Sequence, residues 1–103
     1  MPIGHNYIVY IFTNDNKSVL YVRVTNQIER RLHEHIQNKG KNTSFAGRYS
    51  CCNLVYYERF SNIEHAIDRE KEIKKWRREK KDKLIAGFNQ NWNFLNDTFL
   101  NIE

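Results

Sequence analysis

Three stretches of this chain carry strand-like apolar patterns and three carry helical ones. Tyr7-Ile8-Val9-Tyr10-Ile11-Phe12 is a nearly continuous β-branched and aromatic run, as expected of a strand buried on both faces. Asn14-Asp15-Asn16-Lys17 is a turn cluster, and Val19 to Val24 follows as a second strand, so the two predict a hairpin. Alternation sets Leu20, Val22 and Val24 on one face and Val19, Tyr21 and Arg23 on the other. Asn26 with Glu29 predicts a capped helix start, and Ile28, Leu32 and Ile36 give that helix its apolar stripe. Arg31 and His35 are four apart and project together from the stripe's edge. Gln37 to Ser50 is polar and predicts a loop with one short helical turn, anchored by Phe45 and Tyr49. Asn53 to Phe60 is a third strand. Ser61-Asn62-Ile63-Glu64 predicts a capping box that opens a helix running to about Trp76. A last helix, from about Arg78 to Ala86, is expected to end at Gly87 as its C-cap. In the Asn-rich tail from Phe88 onward, the first half can dock an aromatic on the body, and the last residues are expected to fray.

The order β-β-α-β-α-α predicts an α+β domain, a three-stranded antiparallel sheet flanked by helices. The length of 103 residues suits one domain over 1–103, with a core from about 7 to 92 and a tail from about 93 to 103. A hydrophobic content of 40% with 14% aromatics argues against disorder. No apolar run approaches a membrane span, and the first residues have neither a basic nor an apolar leader segment, so a cytoplasmic location is expected. The cysteines, Cys51 and Cys52, are adjacent and would point to opposite faces of a strand. They are expected to be ordinary reduced thiols.

Charge changes this picture at two places. Ile63, Ala66, Ile67 and Ile73 define one stripe of the penultimate helix, and Glu70 lies on it. A carboxylate there must be paired or put to use, either in a structural ion pair or as a ligand for a hard cation. The net charge of +5 is compatible with a polyanionic partner. Much of the positive charge lies between Lys71 and Lys83, where Trp76 interrupts a basic run that includes Lys74, Lys75, Arg77 and Arg78. The polar 37–50 stretch adds Lys39, Lys41 and Arg48 as candidate phosphate contacts.

Ile8-Val9-Tyr10, Tyr21-Val22-Arg23, the string Thr25 to His35, Leu54 to Glu58 and Ala66 to Trp76 occur in one order, and together they resemble the GIY-YIG nuclease superfamily, specifically its small stand-alone members. The resemblance spans residues 7 to about 92. It implies a metal-dependent DNA endonuclease, in structure-selective repair or recombination. Glu70 would be the ligand of a single Mg²⁺ or Mn²⁺ ion. Arg31, rather than Arg30, would hold the scissile phosphate. Tyr10 and Tyr21 would position or deprotonate the attacking water, a role that needs nearby positive charge because a phenol's ordinary pKa is near 10. His35 resembles a histidine that some members place near the phosphate or a tyrosine. Asn89 precedes Trp92 without the family's proline, Gln90 standing there, and receives no role. The departure that matters is Arg23, where the motif has glycine. Its guanidinium is expected to enter or border the site. It could pair with Glu70 and leave a catalytically impaired DNA-binding module, or lie along the cleft and add a phosphate contact.

Overall fold

A computed structural model describes residues 6–37 and 51–100. The central strand is β1 (Tyr7–Thr13), whose apolar run is buried on both faces from Ile8 to Thr13. β2 (Leu20–Thr25) and β3 (Asn53–Phe60) flank it, both antiparallel, in the order β2-β1-β3. Tyr10 thus stands opposite Arg23 on one side and Tyr57 on the other. The β1–β3 register shifts between Ile11 and Phe12, which face Tyr56 and Leu54, so Val55 is an extra residue. The bulge lets Val55 and Tyr56 both serve the same core.

The sheet is covered on both faces. One face packs Ile8, Tyr10, Phe12 and Leu54 against Ile28 and Leu32 of helix α1 (Ile28–Gln37). The other packs Val9, Ile11 and Val22 against Ala66 and Ile73 of α2 (Ile63–Lys75) and Ile85 of α3 (Arg78–Phe88). The order β-β-α-β-α-α is the one predicted.

Several local expectations shift by a residue or a turn. On α1, Ile36 is 44% exposed, and the stripe continues from Leu32 through His35 instead. Asn26 does not cap α1: the helix begins at Ile28, one residue too late, and the Thr25 hydroxyl accepts the Gln27 N–H. On α2, Ile63 is exposed, and the buried stripe is Ala66, Glu70 and Ile73. Its cap is Asn62, not Ser61, with Oδ1 accepting the N–H groups of Glu64 and His65. Gly87 does not end α3. The helix continues to Phe88, and Asn89 caps it.

Asn89 is buried, and its role is architectural. Its amide donates to the carbonyls of Val55 and Asn93 and accepts the Asn93 N–H, tying the end of α3 to β3 and to the tail. The tail stays docked farther than expected, to the last described residue, Leu100. Leu54 and Leu95 bond across β3's outer edge, and the Asn96 side chain reaches Leu54 N–H and the Cys52 carbonyl. Those bonds cover an edge that would otherwise offer unpaired backbone groups. Leu95, Phe99 and Leu100 pack against the α1-side core. The predicted loop over 37–50 falls almost wholly outside the described residues. Cys51 and Cys52 are buried, unbridged thiols.

Candidate active site

The hairpin and α1 bring Tyr10, Tyr21, Arg23, Arg31 and His35 around one recess of about 70 Å³. Each arrives by a different local rule. Tyr10 and Tyr21 share a sheet face by strand alternation. Arg31 and His35 share a helix face by four-residue spacing. Arg31, not Arg30, lines the recess. In the free protein its guanidinium donates to Glu34 Oε1 at 2.9 Å.

His35 is wedged among rings. It meets Phe12 edge-on at 4.6 Å and Tyr21 at 5.5 Å between centroids. Burial, reinforced by the Arg31 charge, lowers its pKa to about 4, so the imidazole is neutral at pH 7. Tyr10 is 2% exposed. Burial, then the neighbouring Tyr21, pushes its pKa above the ordinary phenol range, although Arg31 and Arg23 oppose that shift. Tyr10 is therefore a neutral hydrogen-bonding group at pH 7, not a phenoxide. Tyr21 is less buried, and its oxygen accepts from Arg23 Nη1 at 3.4 Å.

Glu70 approaches from the other core. Arg23 links it to the recess: that side chain lines the recess, and its Nε lies 3.8 Å from Glu70 Oε2. Its side chain is only 11% exposed, and two cations meet its Oε2: Lys74 at 3.2 Å and Arg23 at 3.8 Å. The sequence question about Glu70 thus has a mixed answer. The buried carboxylate has ion-pair partners, but they are weakly held, with Arg23 51% and Lys74 46% exposed. Lys74 belongs to the basic run expected to meet a polyanionic partner, yet four-residue spacing turns it onto Glu70.

Glu70 is the carboxylate that could hold a hard cation here. A buried carboxylate at the edge of a polar recess matches the one-carboxylate-plus-water habit of Mg²⁺. Among the described residues no cluster of three or more His, Cys, Asp or Glu could hold a metal. Arg23 and Lys74 would both have to yield some of their hold on Oε2.

Other basic candidates separate. Arg78 is engaged in the fold: it donates to the carbonyls of Lys17 and Ser18 and pairs with Asp82, fastening the β1–β2 turn to α3. Lys75 and Arg77 are exposed beyond Glu70. Lys39, Lys41 and Arg48 lie outside the described residues. Sequence reasoning missed a second charged cluster, in which Arg69 binds both oxygens of Glu58 and also Glu72. Tyr56 donates to Glu58 Oε2 as well.

The element order β-β-α-β-α-α is that of a GIY-YIG-like, nuclease-type fold. The GIY-YIG catalytic domain matches residues 6–83, and the chain belongs to the GIY-YIG family. It is similar to the UPF0213 proteins, small relatives of the same size. That of Haloquadratum walsbyi is 37% identical over 76% of this chain and 84% of the relative. That of Clostridium perfringens is 38% identical over 80% of this chain and 84% of the relative. The solution NMR structure of the Bacillus halodurans UPF0213 protein superposes with a TM-score of 0.54 at 30% identity, covering 95% of this chain and 99% of that one. Among the described residues no helix is long and apolar enough to cross a membrane.

Proposed function

We propose that this chain is a divalent-metal-dependent endonuclease that hydrolyses DNA phosphodiesters, structure-selective and serving repair or recombination. The observation that carries this reading is the convergence of Tyr10, Tyr21, Arg31 and His35 on one recess, with Glu70 joined to it through Arg23, from four separate elements. Arg31 binds the scissile phosphate by exchanging Glu34 for a phosphoryl oxygen and offsets the charge that develops there. Tyr10, neutral and fixed in the core, donates a hydrogen bond and orients the reacting group. Tyr21 positions the attacking water. His35, neutral at pH 7, offers a ring nitrogen to take up a proton from Tyr21 or that water. Glu70 would hold a Mg²⁺ or Mn²⁺ ion, which when bound supplies Lewis-acid charge at the phosphate. The exposed Lys75 and Arg77 add positioning contacts to DNA phosphates without reading sequence.

The Arg23–Glu70 contact favours a second reading, a catalytically impaired domain that binds DNA and does not cut it. Incubating the protein with nicked and branched DNA under a Mg²⁺ or Mn²⁺ titration separates the two. Metal-dependent cleavage that disappears in Glu70→Ala and Arg31→Ala supports the nuclease. Salt-dependent binding with no cleavage under either ion supports the binding module. Cleavage that survives Glu70→Ala overturns the assigned site.

A further inference from the structure

Arg23 stands where the family's motif has glycine, and it stands between two possible partners. Its Nε is 3.8 Å from Glu70 Oε2, longer than a direct charge-assisted hydrogen bond. Its Nη1 is 3.4 Å from the Tyr21 hydroxyl, at the outer limit of hydrogen-bond distance, and its guanidinium lies 5.8 Å from the centre of the Tyr21 ring. The side chain is half exposed on a flexible stem, on the edge strand β2. It also lines the recess, as does Arg31. A guanidinium so weakly held at both contacts, and shared between a buried carboxylate and an anion-sized recess, is not a fixed strut. It is an exchangeable partner.

We propose that Arg23 is a substrate-operated latch. In the free protein it leans on Glu70 and lowers that carboxylate's affinity for a divalent cation. A DNA phosphate entering the recess draws Arg23 toward Arg31, so Glu70 is left with Lys74 and binds the ion more tightly. Metal and DNA therefore bind this chain cooperatively, and by linkage each strengthens the other by the same factor. A glycine at this position has no side chain to exchange, so the coupling belongs to this chain's own departure from the motif. The inference rests on Glu70 being the metal ligand, as in the proposed function.

The expected coupling is roughly tenfold, toward the low end of typical allosteric factors, because Arg23 is half solvated. The test is a Mn²⁺ titration followed by paramagnetic broadening of backbone amide signals around Glu70, Tyr10 and Tyr21. It is run on the whole chain with and without a short DNA duplex carrying non-hydrolysable linkages. Arg23→Gln keeps most of the stem and the strand propensity, and Arg23→Gly restores the motif residue. In the wild type, DNA should tighten Mn²⁺ binding about tenfold. In both variants, Mn²⁺ should bind the free protein about tenfold more tightly than in the wild type, and DNA should add little. Site-specific Mn²⁺ binding that is equal in wild type and variants, with equal response to DNA, overturns the latch and leaves the metal site standing. Absence of selective broadening around Glu70 in every variant overturns the metal site and the latch together.

Discussion

Two neighbours on α2, Arg69 and Glu70, each enter a carboxylate–guanidinium contact, and the two contacts are built differently. Arg69 meets Glu58 through Nε and Nη2 at 3.0–3.2 Å, both partners being about three-quarters buried. Tyr56 completes Glu58's shell. Burial, then the bond to Glu58, raises the Tyr56 pKa, so the phenol stays a donor. Arg69 also lies 5.2 Å from the centre of the Trp76 ring, at the break between α2 and α3. All three guanidinium nitrogens donate to carboxylates, and the cluster fixes α2 and the start of α3 against β3. The Arg23–Glu70 contact is single, long and half exposed. Only the carboxylate is sequestered, and its partners can return to water. One cluster spends its charges on the fold. The other keeps a buried carboxylate available beside a polar recess, which is the arrangement a ligand site needs.

The sharpest way to break this comparison is to remove one member from each cluster. Glu70→Ala should lower metal-dependent cleavage at least about 100-fold, the scale for losing a charge-stabilising group in a transition state. The denaturation midpoint should move little, since Arg23 and Lys74 can return to solvent. Single-turnover cleavage and urea unfolding on the same preparation test both halves. Arg69→Ala should do the reverse. It strands a partly buried Glu58 and should cost about 2 kcal/mol, between the surface and fully buried cases. Cleavage per folded molecule should stay close to wild type.

Arginine-to-lysine changes probe geometry at constant charge. Arg69→Lys removes the two-pronged contact and should cost about 1 kcal/mol in the same unfolding assay. Arg23→Lys should change stability by less than about 0.5 kcal/mol, as expected of a mostly exposed pair. Equal costs at the two positions would mean that the Arg23 contact is as rigid as the Arg69 one.

A pH dependence tests the buried imidazole itself. The His35 pKa falls from its ordinary 6.5 to about 4 in the folded protein. The unfolded chain therefore binds the proton more readily between these values. This contribution to stability is complete above about pH 6.5 and is lost as pH falls toward 4. Urea midpoints measured at pH 7, 6 and 5 should decline, and His35→Gln should flatten part of the decline. A midpoint that rises on acidification would contradict the buried, neutral imidazole.

The order of elements was legible because it follows from short-range rules. The β1 run has no polar face, so it had to be the central strand. Asn53–Phe60 is an apolar and aromatic run closed by the turn residues Ser61 and Asn62. Glu70 stood out because a charge on an apolar stripe violates the helix pattern. The misread points were decided by competition between neighbours. Ser61 and Asn62 are both good caps, and only the helix's start at Ile63 chose Asn62. Gly87 looked like a stop signal, but Asn89 had a carbonyl of β3 to bind, so α3 continued.

The sequence by itself determined which side chains carry unusual chemistry: two tyrosines on a hairpin, an arginine and a histidine one helical turn apart, and a carboxylate on an apolar stripe. Periodicity governs which face a residue takes, so these facts are local. Only the tertiary structure decided what those groups meet. It engaged Arg78 with the hairpin turn, matched Arg69 with Glu58 and set Arg23 between Glu70 and the recess. Partners such as Arg23 and Glu70 lie far apart in the chain. Their pairing depends on how the sheet edge and α2 pack, and no spacing rule encodes that distance.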